Sequence, residues 1–96
     1  MKHAGDAALA RLEPLLASLR AMPALREKKR GSFSRGARAF AHFHEDPAGL
    51  FADVRFGDDF ERIDVTTSVK QRQLARRIRD ALRPGADYLD PVDDTA

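Results

Sequence analysis

His42-Phe43-His44-Glu45-Asp46 is the run of residues best equipped for chemistry in this chain. Histidines at positions i and i+2 of an extended strand project to one side, about 6.5–7 Å apart along it. Two neutral imidazoles at that spacing can grip one metal ion, and a carboxylate can add a third ligand: Asp53 from the adjacent strand, or Glu45 or Asp46 from the turn. A catalytic zinc or iron centre of this kind needs an open coordination position and hydrogen-bonded support behind its ligands. His42, His44 and Asp53 are therefore the candidate divalent-metal site, and no other cofactor is implied. Without metal, one histidine could serve as general acid or base. The plainer alternative is a pair of strand histidines packed beside phenylalanine rings or bonded to Asp53, because a bare H-x-H fixes no third ligand by spacing.

A second constellation is cationic. Residues 26–38 carry Arg26, Lys28, Lys29, Arg30, Arg35 and Arg38 with Ser32, Phe33 and Ser34 interleaved, a basic hairpin able to track a phosphate backbone. Near the end of the chain, Arg72, Arg76, Arg79 and Arg83 fall opposite an apolar helical stripe, so they form one outward row that can meet phosphates or an acidic surface. A solvated helix shows the same face, and no helix-turn-helix, RNP-type or GXXG pattern sharpens the signal. Cysteine is absent, which excludes disulfides, thiolate zinc sites and a thiol nucleophile. No phosphate-cradling glycine loop and no G-x-S-x-G elbow occurs.

The elements that must position these residues follow from periodicity. Leu9, Leu12, Leu16 and Leu19 make one helical stripe, widened by Leu15 and Met22, which predicts a helix over about 7–21 capped by Asp6. Pro14 weakens its first half, either by a kink or by serving as a first-turn residue. The middle reads as four strands. The first covers Gly31 to Ser34, the second Arg38 to His44, the third Leu50 to Phe56 and the fourth Phe60 to Val65. Turns fall at Arg35-Gly36-Ala37, Asp46-Pro47-Ala48-Gly49 and Gly57-Asp58-Asp59. Short connections favour an antiparallel meander. Ser68-Val69-Lys70-Gln71 matches a capping box, and Leu74, Ile78, Ala81 and Leu82 continue as a helical stripe that Pro84-Gly85 ends. The expected fold is α+β in the order α-β-β-β-β-α, both helices on one sheet face. Residues 1–5 read as a flexible N-terminus, 6–84 as one domain and 85–96 as an acidic, largely mobile tail.

Alternation puts Leu50, Ala52, Val54 and Phe56 beneath the helices with Ile63 and Val65. It leaves Phe51, Asp53, Arg55, Phe60, Arg62 and Asp64 on the outer face, with Asp53 and Arg62 close together. In the second strand, Ala41 and Phe43 are assigned to the helix side, which sends Phe40, His42 and His44 outward. Phe40, Phe51 and Phe60 interleaved with Arg55 and Arg62 would make a mixed surface of the kind partners use.

Composition sets the outer bounds. The chain has 96 residues, 43% hydrophobic and 33% charged, which is one small domain with a modest core. Arginine far outnumbers lysine, as in GC-rich bacterial genomes. Net charge is +2 but segmented: basic through residue 40, acidic over 41–66, basic over 67–83 and acidic beyond. No signal-peptide or membrane-span pattern is present, so a cytoplasmic protein that does not engage membrane is expected. The leading functional expectation is a non-enzymatic binding or assembly module that self-associates, as a homodimer or with a protein partner, through its open sheet face or an edge. The alternatives are nucleic-acid binding and a metal-dependent enzyme at His42, His44 and Asp53.

Overall fold

Leucines at helical spacing do form the first layer, but Pro14 divides it. In a computed structural model, which describes residues 1–83, helix α1 covers Asp6–Arg11 and helix α2 covers Glu13–Arg20, joined at Leu12. Pro14 falls in the first turn of α2, where no backbone donor is required of it. Leu12, Leu16 and Leu19 are fully buried. The acidic segment 85–96 lies outside the described residues.

The sheet has six antiparallel strands: β1 (Lys2–His3), β2 (Arg26–Lys29), β3 (Ser32–Arg35), β4 (Arg38–Asp46), β5 (Gly49–Arg55) and β6 (Phe60–Asp64). β2 to β6 form a meander in chain order, and β1 adds to β4. Two strands go beyond the sequence expectation. β1 lies within the segment expected to be flexible. β2 consists of charged residues, and Glu27 anchors it: its carboxylate accepts from Arg20 Nε at 2.6 Å and from Gly31 N at 2.9 Å, tying α2 to the β2–β3 turn. Charged side chains suit a sheet edge, because they discourage further strand pairing.

β4 is long enough to hold two partners along one side. Its first half pairs with β3 and its second half with β1, which sets His3 opposite His44. Between β3 and β4 the register shifts: Phe33 faces Ala41 while Ser34 faces Ala39, leaving Phe40 as the extra residue of a bulge. Helix α3 (Ser68–Leu82) closes the chain's described part. Its cap is Thr67 rather than Ser68, with Lys70 N donating to the Thr67 hydroxyl at 3.2 Å. Gln71 is therefore free for another role. Buried, it donates through Nε2 to the Arg11 and Val65 carbonyls and so ties α3 to α1 and to the end of the sheet.

Leu74, Ala75 and Ile78 of α3 join the α1–α2 leucines over Ala41, Phe43, Leu50, Ala52, Val54 and Val65 in one buried cluster. The domain is thus α+β, with all three helices on one face of an antiparallel sheet. Among the described residues, none of the helices lies over the other face.

Candidate functional site

The β4–β5 hairpin sets the site. Asp46 and Gly49 are register partners around a two-residue loop, and the Asp46 carboxylate accepts from Ala48 N at 3.0 Å. Gly49 has φ +149°, and a Cβ there would run into the Thr66 hydroxyl. That hydroxyl accepts from Leu50 N at 3.0 Å, locking the start of β5. The resulting register places His42 opposite Asp53, and Asp53 opposite Arg62 on β6. Successive side chains of a strand alternate between faces, so His42, His44, Asp53 and Arg62 all stand on the helix-free face.

Their polar atoms converge. Asp53 Oδ2 lies 3.0 Å from His44 Nε2 and 3.4 Å from His42 Nε2. Arg62 donates to the same carboxylate through Nε and Nη2, both at 2.8 Å. Asp53 is 8% exposed, unusually buried for a carboxylate on an open sheet face. The bidentate guanidinium holds its pKa below the ordinary carboxylate range, against the opposing effect of burial. His42 is shifted down: burial disfavours its charged form first, and the neighbouring His44 adds to this while Asp53 opposes it. Both directions favour the ligand forms, an anionic carboxylate and a neutral imidazole. His44 Nε2 is sealed from solvent and, among the described residues, makes no hydrogen bond despite its closeness to Asp53. An orphaned buried ring nitrogen calls for a partner.

The third histidine completes the cluster. His3 stacks on His44 with ring centroids 4.9 Å apart and lies 6.1 Å from His42. All three histidines of the chain therefore meet on one patch. The ligand atoms of His42, His44 and Asp53 lie within 4.8 Å of one another. Two ligand atoms of a tetrahedral zinc with bonds of about 2.0–2.1 Å lie about 3.3 Å apart, close to the two distances that Asp53 Oδ2 makes here. Two imidazoles and one carboxylate also make a three-ligand set that suits ferrous iron. Glu45 and Asp46, the turn carboxylates, do not join. Glu45 accepts from Gly5 N at 2.6 Å, and an Asp46 oxygen lies 3.8 Å from the terminal amine. Both serve to pin the N-terminal strand.

The remaining expected residues are dispersed. Phe40 is not on the outer face: it is 3% exposed and belongs to the core, its ring edge-on to Phe56 at 6.3 Å. The bulge breaks the alternation that would have sent it outward. Phe51 is half-buried opposite His44, and Phe60 is exposed at 38%. Phe60 meets the His42 ring edge at 5.0 Å and carries the Arg55 guanidinium 4.4 Å above its centroid. Lys28, Lys29, Arg30, Arg35 and Arg38 are exposed along β2, the β2–β3 turn, β3 and β4, with Arg30 3.7 Å from Glu13. Arg72, Arg76, Arg79 and Arg83 are exposed on α3 and its C-terminal cap, while the neighbouring Arg77 bonds Glu61 and lies over Phe56. The two basic groups thus occupy different elements. His3 is the site residue that sequence reasoning missed, since nothing in Met1-Lys2-His3-Ala4 marks a strand two residues long.

Comparison with protein-family models, curated proteins and solved structures finds no match to this chain. No helix among the described residues is long and apolar enough to cross a membrane.

Proposed function

We propose that this domain is a metal-binding module, with His42, His44 and Asp53 holding one zinc or ferrous ion on the helix-free face of the sheet. The observation that carries this reading is the pair of imidazole nitrogens aimed at a single carboxylate oxygen, one of them buried without a hydrogen bond among the described residues. Three protein ligands leave at least one coordination position for water or a small ligand, the arrangement of catalytic rather than closed structural sites. His3, stacked on His44, supports that ring from behind. Arg62 is the counterweight. In the metal-free protein it neutralises Asp53, and an incoming cation must compete with it for the carboxylate.

Calorimetric titration of chelator-treated protein with zinc, and with ferrous iron under anaerobic conditions, tests the assignment. One equivalent should bind. His42→Ala and Asp53→Asn should each weaken binding by more than the ~10–100-fold typical of losing an outer-shell partner. Failure to bind one equivalent of either ion, or undiminished binding by both variants, would refute the proposal.

Self-association is a second reading, supported by Phe60 exposed beside half-buried Phe51, with Arg55 and Arg62, on the face that no described helix lies over. Phe40 contributes nothing to it.

A further inference from the structure

A second site stands at the opposite end of β4 from the β4–β5 turn. The tight β3–β4 turn, with Gly36 at φ +60°, makes Arg35 and Arg38 direct register partners. Like charges directly opposite one another on a sheet repel. Arg55, at the end of β5, faces the same space: a cavity of about 250 Å³ is lined by Arg35, Arg38 and Arg55 together with Phe40, Phe56 and Asp58. Among the described residues none of these three arginines forms an ion pair. Among the described residues Asp58 is the one carboxylate of this lining, which therefore carries a net double positive charge. Arg55 Nε is shielded from solvent and has no hydrogen-bond partner among the described residues, while its guanidinium carbon lies 4.4 Å from the Phe60 ring centroid. Repelling cations gathered around a concavity, one with an orphaned donor, are what a folded chain tolerates when an anion supplies the missing charge and acceptors.

We infer that this cavity binds the phosphate group of a phosphorylated ligand, with Arg35, Arg38 and Arg55 as its donors. Guanidinium forks match tetrahedral oxyanions through paired hydrogen bonds, which three lysines would not do. The volume is below the ~300–1,000 Å³ of pockets that enclose whole small molecules, so it suits the phosphate alone and leaves the rest of the ligand outside. The site shares no residue with the metal centre and stands without metal.

The experiment is a titration of inorganic phosphate into ¹⁵N-labelled, metal-free protein at constant ionic strength, with sodium chloride as the control. Saturable shifts should appear at the Arg55 Nε–H and at the amides of 35–38 and 55–58. Arg38→Ala, and separately Arg35→Gln, should weaken binding by about tenfold or more while the dispersed amide spectrum shows the fold intact. Lys28→Ala, outside the cavity, should leave it unchanged. A phosphate response that matches chloride, or wild-type phosphate affinity in both arginine variants, would overturn the assignment. A parallel titration with single-stranded oligothymidylate identifies the phosphate's source. If it binds more tightly than phosphate and is weakened by the same substitutions, the source is a nucleic-acid backbone. Weaker binding indicates a small phosphoester. Zinc affinity measured on the Arg38→Ala protein keeps the two sites separate, because loss of phosphate binding should leave it unchanged.

Discussion

Asp53 has three suitors and two oxygens. Arg62 holds both oxygens at 2.8 Å, and the two imidazoles crowd Oδ2 from the other side. Removing Arg62 therefore acts in opposite directions in the two states. Arg62→Ala leaves a buried carboxylate without its counter-ion, so the metal-free protein should melt at a lower temperature than wild type. The same change removes a positive charge beside the incoming cation and should tighten zinc binding several-fold. Melting curves with chelator and with zinc check both halves: the variant should be the less stable protein without metal and show the larger gain on adding it. A variant that loses stability and zinc affinity together would show that Arg62 supports the centre instead of competing for it. At this scale the site was largely legible in the sequence. His42 and His44 share a face by alternation, and the turn at Asp46–Gly49 brings Asp53 to them. His3 was not legible, because two residues carry no periodicity. Phe40 was misplaced because alternation fails at a bulge, and a bulge is set by pairing across strands rather than by the strand's own sequence.

At the scale of elements, the register of the β4–β5 hairpin decides whether a site exists at all. A slip by one residue would turn His42 and His44 beneath the helices. Gly49 guards against this. Its positive φ and the Thr66 hydroxyl where a Cβ would go leave no room for another residue. Gly49→Ala should destabilise the domain by about 1–3 kcal/mol in urea denaturation, from backbone strain before any clash is counted. A neutral result would mean that the turn accommodates a side chain and does not set the register. The elements that sequence reasoning placed well were those with strong internal signals: the leucine stripe, the alternating β5 and the amphipathic α3. Those it missed depend on distant partners. Arg26-Glu27-Lys28-Lys29 has no apolar alternation and becomes a strand because Glu27 is held by Arg20 and Gly31. Gln71 fitted a capping box locally, but Arg11 and Val65 carbonyls from elsewhere in the fold bind it instead.

The whole molecule has one helix-covered face and one that no described helix covers, and its charges cross-link the elements. Asp64 accepts from Lys70 Nζ at 2.7 Å and from Thr66 N at 2.8 Å, which lowers its pKa to about 2. Glu61 beside Arg77 and Glu27 beside Arg20 are shifted down as well. Carboxyls depressed on folding stabilise the native state at pH values above their ordinary unfolded range, and that stability is lost as the folded groups take up protons. The metal-free domain should therefore lose thermal stability steadily from about pH 4 toward pH 2. Equal melting temperatures at pH 5 and pH 2.5 would show that these pairs are too solvated to matter. The helix-free face also bears on assembly. If Phe51 and Phe60 mediate self-association, sedimentation should show a dimer at high micromolar concentration that Phe60→Ser dissociates, whereas a monomer throughout would leave that face to the metal centre alone.

Metal binding here rests on two specific nitrogen atoms, and both can be observed directly. Long-range ¹H–¹⁵N spectra of the three histidines should, on addition of one equivalent of zinc, move Nε2 of His42 and His44 to the shifts of metal-bound imidazole and leave His3 unligated. Unchanged His42 and His44 nitrogens at one equivalent, or a response confined to His3, would rule out a metal ion held by these two imidazoles.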